Sequence, residues 1–221
     1  MRQVPRHSIT RVRLDNQSPH VSTIHQEQVP QAAAVLARTF VSAPQLAFII
    51  PGETGREVKL RRYFAARIRA ALRQGVVHVA ARHSRASLQA VAIWEAPGNT
   101  SDTLTTTIVS GLWLALFRLG LSSYRRRRAL GPVLDSIRPS EPHWYLSSIG
   151  VEPAVQRIGL GTALLETMLR RVDSEGFSCF LDTAAPANLA YYERFGFVVT
   201  AETALPDGVP VWGMTRVVNR D

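Results

Sequence analysis

A strand-like run that leads through a glycine-containing loop into a long helical run is the feature that most constrains this chain. Residues 144–151 (WYLSSIGV) are rich in β-formers, and residues 160–174 repeat apolar side chains at helical spacing. The pattern therefore predicts a strand and an amphipathic helix joined by a tight turn. The loop carries a glutamine, an arginine and two glycines (Gln156, Arg157, Gly159 and Gly161).

The rest of the chain divides into periodic segments separated by glycine, proline and polar residues. We expect a mobile arm at 1–20, a single domain at 21–217 and a tail at 218–221. Gly131 and Pro132 are expected to end the fourth helix. The predicted strands are 21–24, 76–81, 88–94, 144–151, 178–182, 197–204 and 211–216. The predicted helices are 30–41, 56–74, 102–119, 124–130, 160–174 and 188–195.

Composition limits the location and the partners. The 221 residues are 46% hydrophobic, enough for one good-sized core, and a single cysteine, Cys179, rules out an intramolecular disulfide framework. The chain starts without an apolar signal-peptide core, and its longest apolar run, 108–121, is too short to cross a bilayer. We expect a cytoplasmic protein with no membrane partner, either a monomer or a homodimer.

The net charge of +9 suits an anionic ligand or a nucleic-acid or membrane surface, but an arginine-rich composition can also reflect the genome. Residues 125–128 are four consecutive arginines, which could steer an anion or lie on a solvated helix end. The sequence contains no recognisable nucleic-acid-binding motif, so no nucleic-acid partner and no metal site are expected.

The glycine loop itself matches no familiar nucleotide motif. Gly159 and Gly161 begin a G-x-G-x-x-G pattern, but residue 164 is leucine, and a P-loop lysine is absent. Arg157 lies just before a helix N-terminus, where a cation is unfavourable by about 0.3–1 kcal/mol unless an anion lies between them. The loop is therefore either a pyrophosphate cradle or a tight turn in which Thr162 caps the helix.

Two motifs resemble one known family. Q-R-I-G-L-G after a strand ending I-G-V is similar to the acetyl-CoA signature of the GNAT superfamily of N-acetyltransferases, and N-L-A-Y-Y-E-R-F-G-F is similar to its C-terminal signature. The stretches RPSEPHWYLSSIGVEPAVQRIGLG, FLDTAAPANLAYYERFGFVVTAE and VWGMTR resemble the puromycin N-acetyltransferase branch. The likeness covers roughly 21–217 and is loose before residue 88.

The resemblance implies an α/β fold: a mixed, mostly antiparallel sheet of about seven strands flanked by helices and splayed between two central strands. Acetyl-CoA would lie in that opening. The backbone N–H of Ile149 would face the thioester oxygen, and Val151 would pair with the pantetheine amides. The pyrophosphate would be held by Gln156, Arg157, Ile158, Gly159, Leu160, Gly161 and Thr162.

A tyrosine in the second motif is the candidate general acid. Tyr192 resembles the family's proton donor to the CoA thiolate, and its ordinary pKa near about 10 keeps it protonated at neutral pH. Tyr191 and Tyr192 could instead be core aromatics of a short helix. Asn188 could cap that helix or touch the pantetheine arm, and Gly196 fits a left-handed helix end.

The general base cannot be carried over from the family, because the position of its strand glutamate is occupied here by Tyr145. Glu95, Glu141 and His143 lie at strand ends that could face the acceptor, and a water relay or an already neutral amine would need no side-chain base. Aromatic residues that could form a flat acceptor wall are Trp94, Trp113, Phe117 and Trp144.

The function implied by the resemblance is transfer of an acetyl group from acetyl-CoA to the primary amine of a small molecule, by direct attack in a ternary complex. The acceptor would be puromycin-like or another antibiotic or metabolite amine. Two alternatives stay open: a protein or peptide N-acetyltransferase, and a non-catalytic acyl-CoA sensor, which would suit the missing base.

Overall fold

A computed structural model describes residues 18–84, 86–98 and 120–217, and these build a seven-stranded sheet with helices on both faces. The strands are β1 (His20–Thr23), β2 (Gly75–Ala81), β3 (Ala90–Glu95), β4 (His143–Val151), β5 (Ser178–Thr183), β6 (Val198–Ala204) and β7 (Pro210–Arg216). The helices are α1 (Val29–Thr39), α2 (Pro44–Ile49), α3 (Arg56–Gln74), α4 (Leu121–Asp135), α5 (Leu160–Glu175) and α6 (Leu189–Glu193).

The sheet runs in the order β1-β2-β3-β4-β5-β7-β6 and is antiparallel everywhere except between β4 and β5. That parallel pair is short, because its ladder begins at His143 with Ser178 and ends at Leu146 with Leu181. β4 continues to Val151 paired with β3 alone, which leaves an opening beside its other, free edge. The predicted mixed, mostly antiparallel, splayed sheet is confirmed.

Side chains alternate between two apolar layers across the central strands. Trp94, Trp144 and Leu146 pack with the helix α5 on one face, in the cluster that also contains Leu164 and Met168. Ile93, Tyr145 and Phe180 pack on the opposite face with α1 and α3. The sheet therefore separates the two sides of any site built at its centre.

The periodic segments predicted most of these elements. The α3 helix spans the predicted residues, and the strands β2 to β7 agree with the prediction to within about two residues at each end. The short helix α2 was missed, since six residues carry too little periodicity to show. The predicted helix 102–119, including Trp113 and Phe117, lies outside the described residues, and the domain bounds stay a prediction.

The expected end of the fourth helix is wrong. α4 extends through Gly131 and Pro132 to Asp135. Proline removes one backbone donor, but Leu130 and Ile137 are buried and Leu134 packs against the core, so tertiary contacts hold the turn on either side. Among the described residues, no helix has the length and apolar character needed to span a bilayer.

Candidate active site

The free edge of β4 presents backbone donors to the opening. The N–H of Glu152 donates to the Gln89 carbonyl beside β3, at 2.8 Å. The backbone N–H and C=O groups of successive residues in a strand point to opposite edges. Since those of Glu152 point toward β3, those of Val151 and Ile149 point away from it. The Val151 carbonyl accordingly accepts a hydrogen bond from the Thr39 hydroxyl at 3.0 Å. The N–H of Ile149 thus faces the gap, at a level where β5 has already diverged.

The loop before α5 adopts a conformation that suits a bound anion. Gly159 has a φ of 89° and is the N-cap of α5, and Arg157, at φ 63°, is the one non-glycine residue with a left-handed backbone in the part of the chain described. A Cβ on Gly161 would lie 3.0 Å from the Tyr191 hydroxyl, so a side chain would fill the space beside the first turn. The unpaired N–H groups of that turn are then accessible to phosphate oxygens.

The capping role considered for Thr162 is wrong. Thr162 lies inside α5, after the glycine N-cap, and no side chain caps the helix. Burial raises the pKa of Tyr191, and the Thr162 hydroxyl moderates that rise. Asn188 occupies the N-cap position of α6 without making a side-chain cap bond, and its amide donates to the Thr183 hydroxyl at 3.5 Å. Gly196 has the expected positive φ, 83°.

These elements enclose one cavity of about 960 Å³ between the splayed strands. Of the predicted cofactor residues, Ile158 alone does not line it and is 39% exposed on the outside of the loop. Gln156 lines the cavity while its amide donates to the Val151 carbonyl at 3.2 Å. The predicted residues in the lining are Ile149, Val151, Gln156, Arg157, Gly159, Leu160, Gly161, Thr162, Asn188 and Tyr192.

Tyr192 combines burial with access to this cavity. Its side chain is 7% exposed and packs beside Tyr191 with ring centroids 5.3 Å apart. Burial, followed by the neighbouring Tyr191 and Asp182, raises the Tyr192 pKa. The phenol therefore keeps its proton at neutral pH, as a general acid requires.

A second, smaller cavity of about 80 Å³ adjoins the first on the face covered by α1 and α3. Phe40, Gln45, Ser147, Ser148 and Asp182 line both cavities. The remaining lining residues are Leu46, Ile49, Tyr63, Phe64, Arg67, Arg127, Leu130, Leu134, Arg138 and Tyr145. The two cavities meet where β4 and β5 separate. The larger cavity is called the donor side below, and the smaller one the acceptor side.

Tyr145 lies at the floor of the acceptor-side cavity. Its hydroxyl donates to Oδ1 of Asp182 at 2.5 Å, and the Arg138 guanidinium stacks 4.3 Å from its ring centroid. Burial, followed by the charge of Asp182, raises the Tyr145 pKa well above its ordinary value. Tyr145 therefore stays neutral and acts as a hydrogen-bond donor to the carboxylate.

Glu95 lies on the acceptor face but is engaged elsewhere. Its carboxylate pairs with Arg67 at 2.9 Å, and the side chains of the two residues are 15% and 12% exposed. Arg67 also donates to the Ser147 hydroxyl at 2.8 Å. Glu95 lines neither cavity. This ion pair supports the cavity wall and leaves Glu95 poorly placed to accept a substrate proton.

Four further acceptor-side expectations require correction. Trp94 is fully buried and Trp144 donates its indole N–H to Glu175 at 2.7 Å, and strand alternation places both on the α5 face, behind the sheet. His143 begins β4, at the end opposite to the splay, where its Nδ1 lies 2.7 Å from the Glu141 carbonyl and burial lowers its pKa. Neither His143 nor Glu141 lines the two cavities.

The arginine run divides between solvent and site. Arg125 and Arg128 are exposed, and Arg126 lies over the Phe48 ring at 5.6 Å, whereas Arg127 lines the acceptor-side cavity. Sequence reasoning missed Gln45, Arg138 and Asp182, because each comes from a different segment. A polar Asp182 inside the apolar strand SCFLDT was the one available signal.

Comparisons with known proteins agree with this geometry. Residues 119–197 match the model of the acetyltransferase (GNAT) family. The chain is 31% identical over 115 residues to an uncharacterized N-acetyltransferase of Schizosaccharomyces pombe, a stretch that is 49% of this chain and 47% of the relative. The chain therefore spans about half the length of the curated relative it matches.

Solved structures share the whole architecture. A Corynebacterium glutamicum structure described as histone acetyltransferase HPA2 and related acetyltransferase is 23% identical, with a TM-score of 0.69, covering 93% of this chain and 99% of that chain. Arylalkylamine N-acetyltransferase 2 from Aedes aegypti is 14% identical, with a TM-score of 0.63, covering 92% of this chain and 100% of that one. At these identities the likeness establishes the GNAT fold. The similarity in sequence to acetyltransferases is carried by residues 119–197 and by the relative from Schizosaccharomyces pombe.

Proposed function

We propose that this protein transfers the acetyl group of acetyl-CoA to the primary amine of a small molecule, by direct attack in a ternary complex. One observation carries the proposal: a single cavity brings together the free edge of β4, the first turn of α5 and Tyr192. A second, smaller cavity shares five lining residues with it and is the candidate entry for the reacting amine. We infer that the protein acts in the cytoplasm as a monomer or homodimer.

The donor side fits acetyl-CoA. The left-handed Arg157 and Gly159 turn the chain so that the N-terminus of α5 faces the cavity, and the absent side chain at Gly161 leaves room for a phosphate. The Val151 N–H points away from β3 and can pair with an extended pantetheine arm along β4, and Asn188 also lines the cavity. When bound, acetyl-CoA supplies the reactive acetyl thioester.

The protein groups around the thioester position support the acyl-transfer chemistry. The Ile149 N–H, held on a strand edge, can stabilise negative charge on the acetyl oxygen without reorganising, and donors of this kind are worth about 10²–10³-fold in rate. Tyr192 can donate its proton to the leaving sulfur, because its raised pKa keeps the phenol protonated. Both groups act on atoms whose charge develops as the reaction proceeds.

The acceptor side favours a small molecule. Its cavity of about 80 Å³ is walled by α2, α3 and α4 and lined by aromatic and polar side chains, among them Phe40, Tyr63 and Phe64. Such a lining suits a compact, partly aromatic amine. The motif resemblance to the puromycin branch favours an acceptor of the puromycin type. A protein or peptide acceptor is the second candidate, favoured by the likeness to the structure described as a histone acetyltransferase.

Mass spectrometry of product mixtures tests the proposal. The purified protein is incubated with acetyl-CoA and puromycin, and in parallel with simple alkyl and aryl amines and lysine peptides. We expect acetylated puromycin or another acetylated small amine. Acetylation of lysine peptides alone would replace the proposal with the second candidate.

Binding measurements separate an enzyme from a sensor. Isothermal titration calorimetry with acetyl-CoA gives the affinity independently of turnover. If the protein binds acetyl-CoA tightly but acetylates none of the amines or peptides, the proposed transferase activity is contradicted and a non-catalytic acyl-CoA sensor is favoured. Absence of binding would contradict the donor site itself.

A further inference from the structure

Asp182 lies where the two halves of the site meet. It follows Leu181, the last β5 residue in the parallel ladder, so the strands separate at its level. Strand alternation places its side chain on the same face as Phe180, the face covered by α1 and α3. The residue lines both cavities. Asp182 is therefore the carboxylate positioned between the donor and the acceptor.

Two neutral donors fix this carboxylate, one on each oxygen. The Tyr145 hydroxyl donates to Oδ1 at 2.5 Å, and the Gln45 amide donates to Oδ2 at 2.6 Å. Gln45 comes from α2 and Tyr145 from β4, so two separate elements determine the orientation. Each carboxylate oxygen keeps lone-pair capacity for a further hydrogen bond, because an ionised carboxylate offers about four acceptor sites.

Charged and titratable side chains from several elements surround the cavity that Asp182 lines. Arg67 from α3, Arg127 from α4 and Arg138 after α4 line the acceptor-side cavity, and Arg67 is paired with Glu95 from β3. The nearby phenols are Tyr63 from α3, Tyr145 from β4 and Tyr192 from α6. Among the described residues that line the acceptor-side cavity, Asp182 is the one carboxylate, so within that part of the chain it is the anionic partner available to an entering amine.

We propose that Asp182 is the general base of the transfer, with Tyr145 and Gln45 as positioning residues; this inference rests on the proposed function. As the acceptor nitrogen bonds to the acetyl carbon, its N–H proton passes to an Asp182 oxygen. The carbon–sulfur bond then breaks, the sulfur takes its electron pair and receives the proton of Tyr192. Asp182 releases its proton to solvent and Tyr192 regains one, so the reaction gives N-acetylamine and free CoA.

The test compares the wild type with Asp182→Asn, which keeps the shape and removes the base. Asp207→Asn is the matched control, since it removes one exposed carboxylate in the turn before β7. For each protein, kcat and KM are measured across pH with the amine that the panel identifies, and acetyl-CoA affinity is measured by calorimetry. We expect Asp182→Asn to lower kcat about 10²–10³-fold with acetyl-CoA affinity within about twofold of the wild type.

The pH profile distinguishes a base from a structural residue. Residual turnover of Asp182→Asn should rise about tenfold per pH unit above neutrality, because hydroxide must then take the proton, while the wild-type profile levels off. If Tyr145 only positions Asp182, Tyr145→Phe should lower kcat by a smaller factor, about tenfold, and its kcat should depend on pH as that of the wild type does. The Asp207→Asn control should match the wild type.

Four outcomes would overturn the inference. Wild-type kcat in Asp182→Asn would remove the base role, and a raised acceptor KM with unchanged kcat would make Asp182 a binding residue. A loss that is equal at every pH would make it structural. A wild type that binds acetyl-CoA but acetylates no amine would overturn the proposed function and, with it, this base assignment.

Discussion

The donor side and the acceptor side of the site are built in opposite ways. The donor side is nearly continuous in sequence, since β4, the loop and the start of α5 run from Ile149 to Thr162 and meet the cavity directly. The acceptor side draws Gln45, Arg67, Arg138, Tyr145 and Asp182 from five separate segments. Local backbone geometry forms the first, and tertiary packing forms the second.

This difference has a functional consequence. A phosphate cradle depends on backbone N–H groups and glycine conformations, which a short motif specifies. An amine site depends on side chains whose positions follow from how α2, α3 and α4 cover the sheet. We therefore expect donor-side changes to act on acetyl-CoA affinity, and acceptor-side changes to act on stability or on the acceptor.

The largest expected effect follows from changing Tyr192, which should alter kcat without altering acetyl-CoA affinity. Tyr192→Phe should lower kcat about 10²–10⁴-fold, because it removes the phenol that we propose protonates the thiolate, and should leave acetyl-CoA affinity unchanged. Steady-state kinetics and calorimetry measure the two effects. Tyr191→Phe is the matched control and should retain most of the turnover.

The same tyrosine predicts a pH dependence. Since burial raises the pKa of Tyr192, the folded protein retains this proton beyond the ordinary value of about 10. Wild-type kcat should therefore show no decline from tyrosine ionisation between about pH 7 and about pH 10. A decline below about pH 9 that disappears in Tyr192→Phe would contradict this environment.

The next effect is on stability and belongs to the acceptor side. Arg67→Met should reduce the free energy of unfolding by about 2 kcal/mol, because the Glu95 carboxylate, whose side chain is only 15% exposed, then loses this cationic partner. Urea unfolding measures the loss. The double variant Arg67→Met with Glu95→Gln should recover part of it, whereas a double variant less stable than the single one would contradict the ion pair's role.

A smaller effect tests the donor side sterically. Gly161→Val should weaken acetyl-CoA binding about tenfold, since its Cβ would already lie 3.0 Å from the Tyr191 hydroxyl and 3.5 Å from a Val151 methyl. Gly161→Ala should show a weaker effect in the same direction. Equal affinity in all three proteins, measured by calorimetry, would show that the first turn of α5 does not contact the cofactor.

The smallest effect concerns Arg157, where two substitutions distinguish the contribution of backbone strain from that of the side-chain charge. Arg157 has a φ of 63°, so Arg157→Gly should be more stable than Arg157→Ala by about 1 kcal/mol. Both variants should bind acetyl-CoA a few-fold more weakly than the wild type, by an amount that shrinks at high salt. Thermal unfolding and calorimetry at two salt concentrations check the two parts. Identical unfolding of the two variants would contradict the strained backbone.

The sequence by itself determined the sheet strands, the long helices and the donor side. Period-2 and period-3.6 patterns predicted β4 and α5, because these features depend on neighbours within a few residues. The spacing of Gly159 and Gly161 left an anion cradle and a tight turn as alternatives, and the family resemblance favoured the cradle. The resemblance added Tyr192 and the splay, both of which the structure places at one cavity.

Only the tertiary structure decided the acceptor side. From the sequence alone, Trp94 and Trp144 could line an aromatic wall of the acceptor site. In the structure, their positions in β3 and β4 direct both side chains to the face of the sheet that α5 covers. Asp182 meets Tyr145 and Gln45 across 37 and 137 residues of chain. Contacts at such separations depend on the register of β4 with β5 and on the docking of α2, and no local pattern encodes either.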